Sequence, residues 1–208
     1  MQKSALLETL KNDYLDLREE WDLYKNIFAK STERIELLNV ASAHFFHDIQ
    51  RVIIKNVILG TSRITEKDVV AGKKTLTLTA LLVEATKDKW KCLAKLNALH
   101  DEILNDVKQQ RKVRNRILAH REKKTAFNAS RIPKVNFEEI DDSITKIGEY
   151  LNIANLEINS SQNSYIVSGN PYGNDVIECL KRSEHYSSLI PDYRARKVER
   201  EKWKYIGA

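Results

Sequence analysis

The chain has 208 residues, 42% hydrophobic and 31% charged, with a formal net charge of +6. That is room for one sizeable helical domain, or one domain with an appended tail. No run approaches the roughly 20 apolar residues of a bilayer span, and the charged amino terminus lacks the apolar core of a secretory signal. Cys92 and Cys179 fit no CxxC or Cys/His ligand spacing, so they read as two reduced thiols of a cytoplasmic protein.

Six Gly and three Pro are few, and their scarcity leaves long stretches free to be helical. Leu6, Leu10, Leu15, Trp21 and Phe28 thread a charged background from Lys3 to Ala29, the pattern of an amphipathic first helix. Ser31 and Thr32 offer an N-cap to a second helix running to about Leu59, where Gly60 is expected to end it. Its apolar positions Ile35, Leu38, Phe45, Ile49, Val52 and Leu59, broadened by Phe46, Ile53 and Val57, predict packing on two sides. The opposite stripe carries His44, His47, Asp48, Arg51 and Lys55. Two histidines at i, i+3 beside an aspartate could in principle seat a metal, but no further ligand stands at useful spacing, and a solvated polar face is the better reading.

Thr65 with Asp68 three residues on resembles a capping box for the next element. Leu76 to Val83 mixes Thr and Leu and reads as helix because both neighbours do. A long helical run is expected from Lys87 to His120, kinked near Asn105, and Trp90 within it reads as core. Asn136 with Glu139 caps a helix from Phe137 to about Leu156. Asn159 to Asn174 is rich in Asn, Ser and Gly, a loop with a short strand at Tyr165 to Val167. Asp175 to Leu189 is expected as a last helix, before a polar, basic tail in which Trp203 and Tyr205 read as a docked end. The expected organisation is all-α, a helical domain over residues 1–156 followed by a loop, short helix and basic tail over 157–208.

Positive charge is concentrated. Between Arg111 and Lys134 stand nine basic residues against Glu122 alone, a pattern suited to a polyanionic partner. At about 100° per residue, Ile103, Val107, Gln110 and Ile117 mark the buried stripe of the helix leading into this segment. Arg114 falls inside that stripe, His120 stands to one side, and Asn115 and Arg116 point away. Arginine is seldom buried without a partner. Either a carboxylate neutralises Arg114, or its face lines a cleft that takes an anion.

The string Arg114-Asn-Arg-Ile-Leu-Ala-His-Arg121 resembles the motif of the HEPN superfamily, an arginine, a polar residue and then a histidine after four to six intervening positions. It looks like the abortive-infection, AbiU-like branch, in which an apolar pair precedes the histidine and a basic residue follows it. Ile58 to Asp68, ILGTSRITEKD, looks like the end of that branch's second core helix. The resemblance covers Ser31 to about Leu156 and implies an HEPN-like helical bundle.

The resemblance also implies a metal-independent ribonuclease acting as a homodimer, with no cofactor and no metal. Cleaving RNA without metal needs a base for the 2′-OH, an acid for the leaving 5′-oxygen and positive charge at the phosphorane. One chain supplies one such histidine, so two copies of His120 and Arg114 meeting across a two-fold axis complete the scheme. The expected site is Arg114, Asn115 and His120, with Arg111, Lys112, Arg116, Arg121, Lys123 and Lys124 binding RNA. Partners would be RNA, a second copy and, in a toxin, a cognate antitoxin; no membrane is involved. A tyrosine two residues after the histidine marks HEPN proteins that pair with a nucleotidyltransferase. Here Glu122 stands there, against regulation by modification at that site. Two other readings differ in the site. A catalytically inactive HEPN module would bind RNA or a protein, and a helical interaction protein would pair Arg114 with an internal carboxylate and show no groove.

Overall fold

The computed structural model describes residues 2–115, 135–161 and 173–195. The described residues are almost wholly helical. Helix α1 spans Gln2–Tyr24 and runs into a π-helical turn at Lys25–Ala29; α2 spans Thr32–Ile64. A two-stranded hairpin follows, β1 Val69–Val70 and β2 Lys73–Lys74. Then come α3 (Leu78–Lys87), α4 (Leu93–Asp106), α5 (Lys108–Val113), α6 (Phe137–Asn159) and α7 (Asn174–Ala195). Among the described residues no helix is long and apolar enough to cross a membrane.

The core lies where α1 meets α2 and α6. Leu7, Leu10, Tyr14, Leu17 and Trp21 are buried, spaced alternately by three and four, which keeps one narrow seam inward along the helix. Leu6 and Leu15 flank that seam half-buried rather than forming it. From α6, Ile140, Ile144, Ile147, Leu151 and Ala154 close on the seam, and Ile177 of α7 joins the same core. Trp21 donates from Nε1 to Asp141 at 2.6 Å and Lys25 donates to the same oxygen at 3.0 Å, pinning the end of α1 to the start of α6.

Several boundaries differ from those expected. Ser31 does cap α2, its hydroxyl accepting from the Arg34 amide. Gly60 does not end the helix. It is a packing position, where an added Cβ would lie 3.1 Å from Leu17 Cδ1, so its lack of a side chain lets α1 close on α2. Thr65 is no N-cap either. It terminates α2, turning its hydroxyl back onto the Thr61 carbonyl at 2.6 Å. Asp68 then opens the hairpin, its carbonyl accepting from the Thr75 amide. The turn between the strands places Ala71 and Gly72 at positive φ, 50° and 76°, the form that matches the twist of two paired strands.

The expected run from Lys87 is interrupted. Lys89 adopts a left-handed φ of 54°, Trp90 enters the core as expected, and Glu157 of α6 accepts from the Lys91 amide. Helix restarts at Leu93, and the later break falls at Val107 rather than Asn105. Asn136 caps α6, accepting from the Glu138 amide at 3.3 Å. Helix α7 extends to Ala195, beyond Leu189. The strand expected at Tyr165–Val167 and the aromatic residues Trp203 and Tyr205 lie outside the described residues.

The largest departure concerns α2. Of the apolar positions expected to pack, Leu38, Ile53 and Val57 are buried and Ile35, Phe46 and Ile49 pack partly buried against the core, while Phe45, Val52 and Leu59 are exposed. Helix α2 packs against α1, α5 and α7 and leaves those three uncovered. Ser42 leaves helical geometry at φ −171°, ψ 84° and separates Val40 from the stretch that follows.

Candidate functional site

The motif helix behaves as its spacing requires as far as Asn115. Ile103, Val107 and Gln110 are buried and Asn115 is exposed. Gln110 is wholly enclosed and ties three helices together. Its Oε1 accepts from Thr61 Oγ1 of α2 at 2.7 Å, and its Nε2 donates to Ser143 Oγ of α6 at 3.1 Å. Ser143 passes its own proton to the Ile140 carbonyl at 2.8 Å. Every polar atom of the Gln110 side chain that needs a strong partner has one, which is what makes its burial tolerable.

One turn further on, Arg114 takes a different partner. Its Nη2 donates to Glu66 Oε2 at 2.7 Å, with the two side chains 25% and 23% exposed. Half-buried, the pair is screened less than a surface ion pair and forms a charge-assisted hydrogen bond. Burial alone would push the Glu66 carboxyl up, but the hydrogen bond and charge of Arg114, with help from Arg111, hold it below its ordinary value of 4.5. Glu66 is also held through its backbone, whose carbonyl accepts from Thr79 Oγ1 at 3.0 Å. Thr79 in turn lies 3.1 Å from His100 Nε2. Since Thr79 has spent its proton on Glu66, His100 must donate, which places the proton of its neutral ring on Nε2. Burial holds the His100 imidazole below its ordinary value of 6.5, Asp101 opposing and Arg111 assisting.

Arg111 is turned inward as well, donating from Nη2 to the Thr65 carbonyl. That leaves the buried Nε atoms of both Arg111 and Arg114 without a hydrogen-bond partner. Lys112 is half-buried. The remaining expected site residues, Arg116, His120, Arg121, Lys123 and Lys124, lie outside the described residues.

Arg114 and Glu66 help line a groove of about 960 Å³ between α1, α2 and the hairpin. Leu17, Leu59, Gly60, Val70 and Leu76 belong to its apolar lining. Its charged lining is Asp13, Asp16, Glu20 and Glu66 against Arg63 and Arg114, with Arg63 bonded to Asp13 at 3.2 Å. The described walls are thus predominantly acidic. The two features that would mark an unrelated interaction protein are split, since a carboxylate does pair Arg114 but a groove is present. His44 and His47 are exposed as expected of a solvated face. Among the described residues no three of His, Cys, Asp and Glu gather in a group able to hold a metal ion.

Glu66 is the residue that sequence spacing did not single out, although it lies within the ILGTSRITEKD phrase. An all-α bundle that delivers an arginine and a following asparagine to the end of a core helix is the architecture expected of an HEPN module. Residues 4–179 match the family model HEPN_AbiU2, described as AbiU2, so the chain belongs to the AbiU2 family of HEPN proteins. The match takes in α1 and the first turn of α7, beyond the Ser31 to Leu156 stretch that carried the resemblance. No curated protein and no solved structure matches the chain.

Proposed function

We propose that this protein is a metal-independent endoribonuclease of the abortive-infection type, working as a homodimer. The observation that carries the reading is the Arg114 guanidinium, fixed by Glu66 at 2.7 Å and still a quarter exposed in the lining of a groove. A guanidinium held by Glu66 through Nη2 and still partly exposed keeps donor capacity for a phosphate, and its orientation is set before substrate arrives.

In this scheme His120 removes the 2′-OH proton, and the 2′-oxygen attacks the adjacent phosphorus. His120 of the second copy gives a proton to the departing 5′-oxygen. The products are a 2′,3′-cyclic phosphate and a 5′-OH. Arg114 neutralises the charge that gathers on the non-bridging oxygens, and Asn115 offers an amide donor at the exposed edge. Lys112, Arg116, Arg121, Lys123 and Lys124 draw in the phosphate backbone, while Arg111 braces the corner against Thr65.

The test is cleavage of a defined RNA by the purified full chain. Activity should survive excess EDTA, vanish on a substrate with 2′-deoxyribose at the scissile position, and fall as salt rises. Cleavage of DNA, or loss on chelation that added metal restores, would overturn the chemistry. A second reading is favoured by one observation, the four carboxylates lining the groove. It makes the chain a catalytically inactive module that binds a protein such as an antitoxin, and it requires a stable complex with no cleavage of any RNA.

A further inference from the structure

We infer that the hairpin of residues 69–74 is a second RNA-binding element, whose lysines hold the phosphate backbone beside Arg114. The inference rests on the ribonuclease reading for its choice of RNA as the ligand. Lys67, Lys73 and Lys74 are exposed, and no ion pair engages their side chains among the described residues. Acid in the same stretch does not offset them. Glu66 is engaged by Arg114, and between residues 67 and 76 Asp68 alone is left. All three lysines lie outside the basic run from Arg111 to Lys134, and only the fold sets them next to the motif arginine.

The hairpin is fastened to the motif helix at its base. Glu66 Oε2 accepts from Arg114 at 2.7 Å and the Thr65 carbonyl accepts from Arg111. Thr75 closes the loop, its amide donating to the Asp68 carbonyl at 2.8 Å and its hydroxyl to the Lys67 carbonyl. Residues opposed across a hairpin share a face. Val69 pairs with Lys74 and Val70 with Lys73, so each face carries one valine and one lysine. Val70 lines the groove together with Arg63 and Arg114, which puts Lys73 on the groove's side of the hairpin. A hairpin with a valine on each face and Ala71-Gly72 at its tip has no single apolar side to set into a membrane. The groove's carboxylates Asp13, Asp16 and Glu20 stand on α1, so a polyanion is steered to the hairpin and Arg114 and away from α1. A lysine ammonium is a point charge that meets phosphate without reading a base edge. The hairpin therefore sets the position of the RNA strand and not its sequence.

The experiment is fluorescence anisotropy of the full chain with two single-stranded RNAs of unrelated sequence. Both carry 2′-O-methyl groups throughout, so that binding is read without cleavage. Lys73→Gln combined with Lys74→Gln should weaken binding about ten-fold on both RNAs. The slope of log affinity against log salt should become shallower by about 1.4, two single-strand contacts at about 0.7 each. On cleavable RNA the same variant should raise KM and leave kcat unchanged. The control is Lys87→Gln with Lys95→Gln, which removes the same charge from exposed positions at the far end of α3 and the start of α4. It should bind RNA like the wild type, and circular dichroism should show both variants folded. A wild type that binds neither RNA at low salt would overturn the inference, as would a hairpin variant that binds normally. Equal losses in the control, or a loss on one sequence only, would also overturn it. So would unchanged RNA affinity in a hairpin variant that no longer binds anionic lipid vesicles. Hairpin-dependent binding with no cleavage of any RNA leaves this inference standing and removes the ribonuclease. Cleavage with an unchanged KM in the hairpin variant removes this inference and leaves the ribonuclease.

Discussion

Two polar clusters sit one turn apart on the same helix, and their difference is instructive. At Gln110 the side chain is fully buried, and both its oxygen and its nitrogen meet hydroxyls from neighbouring helices. At Arg114 one nitrogen meets Glu66, another is buried and unpartnered, and a quarter of the side chain faces a groove. The first cluster is closed and can only hold helices together. The second is open, since part of the guanidinium faces the groove, and a partly exposed charged donor is what an anion or a partner needs.

The sharpest way to separate the two is to remove each. Arg114→Ala and His120→Ala should each reduce RNA cleavage by about 10³-fold, the order seen when a group stabilising transition-state charge is deleted. Both proteins should keep their helical content, and His44→Ala should keep full activity. A well-folded His120→Ala variant that cleaves normally would end the assignment.

Gln110→Ala should do the reverse. It should cost about 2–3 kcal/mol of stability, because the buried amide's hydrogen bonds to Thr61 and Ser143 are lost and a cavity is left, while leaving the rate per folded molecule nearly unchanged. Urea unfolding measures the first quantity and single-turnover cleavage the second. A stability loss no larger than that of Arg114→Ala would mean the two clusters do not differ as described.

Glu66→Gln should cost about 1 kcal/mol, since the amide still accepts from Arg114 but without charge. The sign of its pH effect follows from the lowered Glu66 value. The stabilisation is fully present above the ordinary carboxyl value of 4.5 and is lost as pH falls through the lower folded value. The difference in stability between wild type and Glu66→Gln should therefore shrink in acid. If it stayed constant down to the acid limit of folding, the ion pair would not contribute.

His100 should give the smallest effect. Its folded value is depressed, so the fold holds it neutral while the unfolded chain takes up a proton below 6.5. Stability should fall as pH drops from that point, and His100→Gln, which keeps a donor for Thr79, should flatten this part of the profile. An unchanged slope would show that the imidazole is not shielded from protons.

Much of this was legible before any coordinates. Ser31 and Asn136 announce helix starts because a short oxygen-bearing side chain can reach an unpaired amide. The stripe through Ile103, Val107 and Gln110 follows from helical periodicity alone, and the exposed Asn115 falls where the wheel puts it. Gly60 misled for a physical reason, since glycine serves both at helix ends and at close helix crossings, and only Leu17 of α1 distinguishes the two. The hairpin at Val69 to Lys74 was missed because Ala-Gly is a weaker turn signal than Asn-Gly.

The sequence by itself determined the all-α class, the caps at Ser31 and Asn136, the buried stripe of the motif helix and the motif that leads to the AbiU2 family, because these depend on residues within a few turns of one another. Tertiary structure alone decided which apolar positions of α2 were covered, since Leu38 and Val52 both have helical spacing and the outcome depends on where the neighbouring helices lie. It alone brought Glu66 to Arg114 across 48 residues. A lone arginine on an apolar helix face demands a counter-charge, but periodicity carries no information about which distant carboxylate the fold will deliver.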